Sequence, residues 1–459
     1  MQTTTNIEQR PERGAKEGKM NFAAWLRASA MALAIPLVSM GAEAEGGDKT
    51  SPVSLYNILA YADEHAPGVL VARAQTERGQ AAVDGARVVL QKNTIAGAMA
   101  GPRFAQGARG TDYQLWLRQP IEIAGERKQR RNTAEKTRER THKELEEVRW
   151  QVHREVHAAF HLALVARERW SLAEKILVST EELLSVAERR HQAGDISELA
   201  VRLAKGELAQ ARQASLAAEQ EYRSAQLRLA EVSGWPADVL PEPVGELDEP
   251  KRAPPMEELA ALALAKHPGI GARVGAIAEA EARVRLEDRE AWPEPSLGVT
   301  YTRESLPIVG LNEHIVQGLM TLPIPFTQRN QEGRARARAE LSVAKAEKQA
   351  FVQALKVRLA RAANAVNADA ARIAAYGTEI LPAFEGNLTL LRRAFELGEA
   401  DLLQVLVGRE RLLRIQQDAL TAYQDYYRDA AALEAEVGIE VWPDEHHQDE
   451  GDLGEQHDH

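Results

Sequence analysis

The sequence predicts a mainly α-helical protein with a small β part, and three observations carry that expectation. Aromatic residues make up only 5% of the 459 positions, while Ala, Leu, Glu, Arg and Gln dominate, the profile of long helices packed through small side chains. No proline occurs between Glu122 and Trp235, so a helix from about Glu126 to Ala193 would run about 100 Å at 1.5 Å per residue. The chain is also built twice. His65-Ala66-Pro67-Gly68 returns as His267-Pro268-Gly269, Gln119-Pro120-Ile121 as Leu322-Pro323-Ile324, and Arg190 to Asp195 as Arg393 to Glu399 with Gly194 and Gly398 equivalent, all at offsets of about 201 to 204 positions.

At the N-terminus, Lys19 and Arg27 flank Met20, and an apolar stretch from Ala28 to Met40 precedes Ala42-Glu43-Ala44. That is the n-region, h-region and A-x-A site of a signal peptide, with cleavage expected after Ala44 and Met20 as an alternative start. Residues 1–44 are therefore read as leader. No later run has the roughly 18 or more apolar residues a transmembrane helix needs, so a mature chain that enters a membrane must do so as a closed barrel.

The first repeat is expected over 45–233. A helical start at about 53–90 leads into two alternating segments, Thr94 to Phe104 and Thr111 to Ile121, and then a helical hairpin at about 126–233. A proline-rich linker follows at 234–256, with Pro236, Pro241, Pro243, Pro250, Pro254 and Pro255, which suits a segment lying on the outside of the body. The second repeat, 257–441, has a helical start at about 256–289, segments from Pro295 to Leu306 and Glu313 to Ile324, and a hairpin at about 328–438. Pro382 is expected to kink its first arm. In the segments, Tyr113, Leu115 and Leu117 alternate with Gln114, Trp116 and Arg118, and Leu297, Val299 and Tyr301 alternate with Ser296, Gly298, Thr300 and Thr302. This is the apolar-out, polar-in rhythm of membrane strands, although half-buried strands of a soluble sheet read alike. Four strands cannot close alone, because the smallest membrane barrels have about eight. Several chains must share one barrel.

Along the first long helix, Leu145, Val148, Val152, Val156, Ala159, Ala163, Ala166 and Trp170 recur at spacings of three and four, a coiled-coil seam. His153, His157 and His161 stand at i, i+4 and i+8, roughly 100 to 180° around from Val152 at 100° per residue. They are expected on a solvated face, with a transient metal site as the alternative. His153-Arg154-Glu155-Val156-His157 places Glu third rather than second and so lacks the zinc-protease pattern. After Pro443 the tail, 442–459, mixes His446, His447, His457 and His459 with carboxylates, a composition that suits zinc, cobalt or nickel or else a disordered acidic tail.

Composition narrows the function classes. A net charge of −11 and a pI near 5.7 argue against nucleic acid as a partner. Zero cysteines exclude disulfides, thiol nucleophiles and a lipoprotein anchor. With neither phosphate loop nor nucleophile elbow, the chain carries no catalytic constellation, and neither an enzyme nor a resident cofactor is expected.

The run Arg393-Ala394-Phe395-Glu396-Leu397-Gly398-Glu399-Ala400-Asp401-Leu402-Leu403-Gln404-Val405-Leu406, continued by Arg409, Leu412, Leu413, Gln416, Leu420, Tyr423, Tyr426, Ala430 and Leu433, resembles the TolC-like outer-membrane factor family. Within that family it is most similar to the heavy-metal (cobalt-zinc-cadmium) efflux branch. The resemblance implies a homotrimer in the outer membrane of a Gram-negative bacterium, with a 12-stranded barrel of four strands per chain continued by a periplasmic helical tube. Hairpin tips in that family meet the periplasmic adaptor of a tripartite system driven by an inner-membrane RND-type pump. Carried over, Arg190, Gly194, Ile196 and Leu199 and Arg393, Gly398, Leu402 and Leu403 are tip residues, while Pro120, Gly125 and Pro323 mark the passage from barrel to helix. Where some members close the tube with carboxylate rings, Gln404 and Val407 stand here, so a different closure is implied. The expected function is export of divalent cations such as cobalt, zinc, cadmium or nickel. Export of drugs or other small molecules, and a periplasmic coiled-coil adaptor or scaffold, are the rival readings.

Overall fold

A computed structural model describes residues 49–442 apart from 90, 91, 248 and 307; the leader and all but the first residue of the tail read above lie outside that range. Each repeat begins with two short helices rather than one. In the first, α1 (Leu55–His65) is capped by Ser54, whose side chain accepts from the Asn57 N–H, and α2 (Pro67–Ala86) starts at once with Pro67 at its N-terminus. In the second, α5 (Met256–Lys266) gives way to α6 (Pro268–Arg289) at His267. Proline fixes the break in both because it is tolerated in a first helical turn and removes a hydrogen bond anywhere later.

The strands are β2 (Ile95–Ala105), β3 (Ala108–Pro120), β5 (Ser296–Leu306) and β6 (Leu311–Thr321). They form one antiparallel sheet in the order β2-β3-β5-β6, so the two repeats meet side by side at β3 and β5. Leu117 pairs with Val299 and Leu115 with Tyr301 across that seam. Both hairpin turns sit at one end of the sheet and all connections to helices at the other. The β2–β3 turn uses Gln106 and Gly107 with φ of 44° and 84°, the two left-handed residues of a type I′ turn.

The linker is more structured than its prolines suggest. Within it β4 (Val239–Pro243) pairs in parallel with β1 (Lys49–Val53), a two-stranded ribbon in which every strand is an edge and prolines are tolerated. Arg167 holds it to the helical body by donating to Pro243 O at 2.8 Å and to Gly245 O at 2.6 Å.

The long helices are α3 (Glu126–Gln192), α4 (Glu198–Ser233), α7 (Gln331–Ala375), α8 (Leu381–Glu396) and α9 (Leu402–Val437). The expected seam holds, with Leu145, Val156, Ala159, Ala163 and Ala166 buried. α3 is also where the repeats join: its Val165 lies in the core that Leu259, Leu355, Leu359, Val366, Leu433 and Val437 of the second repeat build. Between α7 and α8 runs a π-helical turn, Tyr376–Ile380, immediately ahead of Pro382. The kink takes this form because proline supplies no N–H to the preceding turn, which widens to accommodate it.

The His-Pro-Gly landmarks find their reason at the base of each hairpin. α4 ends at Gly234 (φ 73°) and α9 at Gly438 (φ 87°). A Cβ on Gly234 would stand 2.3 Å from His65 O, and one on Gly438 2.6 Å from His267 Cα. The last helix of each repeat thus docks, by a left-handed glycine, on the corner where that repeat's first two helices meet.

Candidate functional site: sheet faces, helical body and hairpin tips

Alternation along the strands sorts the sheet into two chemically different faces. One carries Leu115, Leu117, Leu297, Val299, Val316 and Met320, all exposed. The other carries Gln114, Arg118, Thr300, Thr302 and Gln317, with Trp116 laid across Gly97, where a Cβ would meet the indole at 2.2 Å. Toward the turns the polar face holds an ion cluster that alternation alone did not reveal. Arg103 Nη1 is 2.9 Å from Glu304 Oε2 and 3.6 Å from Asp112 Oδ2, and Glu313 pairs in register with Glu304. A search for strand partners could have found it, since all four residues share one parity.

Pro120 ends β3, Gly125 (φ 84°) is the residue that opens α3, and Pro323 follows β6 by two positions. All three stand at the helical end of the sheet, where an extended chain must turn into a helix.

The two tips are built alike. After α3, Gly194 (φ 86°) lets Asp195 N donate to Arg190 O at 2.9 Å; after α8, Gly398 (φ 80°) lets Glu399 N donate to Ala394 O at 2.8 Å. Both are helix ends closed by a left-handed glycine. Ser197 then caps α4, and Asp401 with Gln404 forms a capping box on α9. The tips also grip each other: Arg190 Nη1 donates to Phe395 O at 2.8 Å and its guanidinium lies 4.8 Å over the Phe395 ring. Of the sequence-derived tip residues, Arg190, Ile196 and Leu402 pack into this joint. Arg393, Leu199 (66% exposed) and Leu403 (58%) face outward, as does Val407. Farther along α9, Arg409 clamps it to α3 by donating Nη2 to Ile176 O at 3.2 Å and to the Thr180 hydroxyl, and its burial lowers the guanidinium pKa.

The histidine column does not face solvent as expected. His161 is buried and stacks on Tyr427 of α9 at 4.2 Å between ring centroids, and His157 stacks on His153. The helical wheel placed these rings away from the first repeat's seam correctly, but α9 of the second repeat covers that face. His153 Nε2 lies 3.0 Å from Glu440 Oε1. Burial, with His161 and His153 beside it, holds His157 well below its ordinary pKa. Nearby Glu434 is pushed up to about 7 by burial, despite the Val441 N–H that donates to it at 3.0 Å. Among the described residues no group of three or more His, Asp or Glu side chains is arranged to hold a metal ion; the rings stack instead of converging. His446, His447, His457 and His459 lie outside the described residues.

No described helix is long and apolar enough to cross a membrane. The outer membrane efflux protein family model matches residues 60–235 and again 259–438. The chain belongs to that family. This outer membrane efflux protein is 27% identical over 320 residues to the cobalt-zinc-cadmium resistance protein CzcC of Cupriavidus metallidurans, covering 70% of this chain and 75% of that one. Its fold matches the crystal structure of CusC with a TM-score of 0.69 at 14% identity, over 87% of this chain and 96% of that chain. It matches the CmeC outer membrane channel of Campylobacter jejuni with a TM-score of 0.67 at 14% identity, over 87% and 89%. The architecture is thus that of the TolC-like channels, and the protein is a conduit rather than an enzyme. The sheet it presents has one exposed apolar face and one polar face.

Proposed function

We propose that this efflux protein is the outer-membrane duct of a tripartite, RND-driven system that exports divalent heavy-metal cations from the periplasm. The similarity to a cobalt-zinc-cadmium resistance protein along 70% of the chain carries the reading. The polar face, read as the lumen, supports it: near the turns, among the described residues, Asp112, Glu304 and Glu313 outnumber Arg103 and leave the exit carboxylate-rich, which favours departing cations through the local field. Three copies make the tube. A protomer offers four strands with β2 and β6 as open edges, and three copies would supply the closed barrel that a lipid environment requires. The exposed leucines of the paired tips, Leu199 and Leu403, are the surface offered to the adaptor.

The test is deletion of the gene followed by growth on graded zinc, cobalt, cadmium and nickel and on a panel of organic drugs. The expected result is lowered tolerance to one or more of the metals, restored by the intact gene, with drug tolerance unchanged. Loss of drug tolerance alone would replace the substrate by small organic molecules.

A further inference from the structure

The outward face of the sheet changes character along its height. At the helical end it is aliphatic, with Leu117, Leu297, Val299 and Met320. Toward the turns the same parity carries Tyr113, Tyr301, Arg303 and His314, and at the β2–β3 turn Phe104 and Arg109, which are register partners. These side chains are already organised in pairs: Arg303 lies 5.6 Å over the Tyr113 ring, Arg109 lies 5.7 Å over Phe104, and Tyr301 Oη is 2.6 Å from His314 Nδ1. The aromatic partners hold the cationic groups at the wall. The carboxylates at this height, Asp112, Glu304 and Glu313, all have inward parity, and two of them hold Arg103 on the lumen side. Among the described residues at the outer end of the barrel, the carboxylates thus share the inward parity with Arg103, while Arg109, Arg303 and His314 take the outward one.

Such a belt, continuous with the lipid-facing wall below it, matches the level where acyl chains end and headgroups begin. Aromatic rings suit that boundary, and arginine forms charge-assisted, bidentate hydrogen bonds with phosphate. Resting on the reading of this face as lipid-facing, we propose that Arg303, His314 and Arg109, backed by Tyr113, Tyr301 and Phe104, bind the phosphate-bearing headgroup of a glycolipid in the outer leaflet. Phosphates along the belt would meet Arg303 and its register partner His314 at one level and Arg109 four residues nearer the turn, with no outward carboxylate there among the described residues.

The experiment is native mass spectrometry of the trimer extracted from outer membranes, titrated with diphosphoryl lipid A and with its dephosphorylated counterpart. The wild type is expected to retain the phosphorylated form, and the triple variant R109Q/R303Q/H314Q to lose at least about tenfold in affinity, the scale of one charge-assisted hydrogen bond. Arg103→Gln removes a positive charge at the same height but on the inner face, and is expected to leave lipid binding unchanged. Equal retention of both lipids, an unaffected triple variant, or an equal loss in Arg103→Gln would each overturn the headgroup site while leaving the duct intact. A wild type that never assembles in the outer membrane would contradict the duct reading itself, and this site with it.

Discussion

The first long helix and its counterpart in the second repeat are almost the same length and differ in how they are held. α3 runs unbroken from Glu126 to Gln192 with buried side chains along its whole course. The corresponding run from Gln331 to Glu396 is divided by the π-helical turn, and beyond that turn α8 buries Phe395 alone. A duplicated unit has thus become one rigid stave, packed against both repeats, and one stave whose distal third is fastened chiefly at its tip. Local stability follows buried contacts, so the stretch between the π-helical turn and Phe395 is where this stave can move at least cost.

The largest effect should come from cutting that fastening. Phe395, 1% exposed, fills the joint between tips, and Phe395→Ala is expected to cost about 4 kcal/mol locally. The equivalent position in the first repeat is His191, which is exposed, and His191→Ala should change stability by no more than about 0.5 kcal/mol. Hydrogen exchange at the two tips reads the contrast; equal deprotection by both variants would erase it.

Next come the glycines at the hairpin bases, where the repeats should behave alike. Gly234→Ala and Gly438→Ala each combine a left-handed backbone with a Cβ driven into the His65 or His267 corner, for roughly 3 kcal/mol. Thermal dissociation of the assembled protein should fall in both, whereas Gly194→Ala at the open tip should cost only about 1 kcal/mol. A base variant that melts like the tip variant would show that the close approach is not maintained.

A smaller asymmetry is pH-dependent and belongs to the zone where α9 covers α3. Glu434, raised to about 7 from an ordinary 4.5, keeps its proton in the folded chain after the unfolded chain has lost it. Its contribution is fully present below pH 4.5 and is lost as pH rises through 7. His157, held below its ordinary 6.5, acts oppositely, its contribution being present above 6.5 and lost as pH falls. Glu434→Gln should therefore gain roughly 2 kcal/mol over the wild type at pH 8 and little at pH 5. Melting curves at the two pH values would refute this by showing the same difference at both.

The smallest effect is expected at the flexure. Pro382→Ala restores an amide N–H to the widened turn and should raise exchange protection over 376–381 with less than about 1 kcal/mol change in global stability. Unchanged protection there would mean that the π-helical turn has a cause other than the proline.

Much of this was legible in the chain because periodicity and glycine leave direct marks. The strand alternation from Tyr113 to Leu117 and from Leu297 to Tyr301, the seam from Leu145 to Ala166 and the two tip glycines stand where the residues placed them. The histidine column was misread because a helical wheel sees one helix; that α9 would cover His157 and His161 depends on how the second repeat folds back on the first. The same limit hid Glu434, whose environment comes from α3 and the turn after Gly438, and the Arg103 cluster, which needs the β3–β5 register. The β1–β4 ribbon was hidden because a run of prolines reads as pure linker.

The most direct test of the account is the mass of the protein extracted from outer-membrane fractions without heating. Three chains in one heat-resistant particle are predicted, with boiling required to release the single chain. A monomer recovered from the soluble periplasmic fraction would contradict the duct at its root.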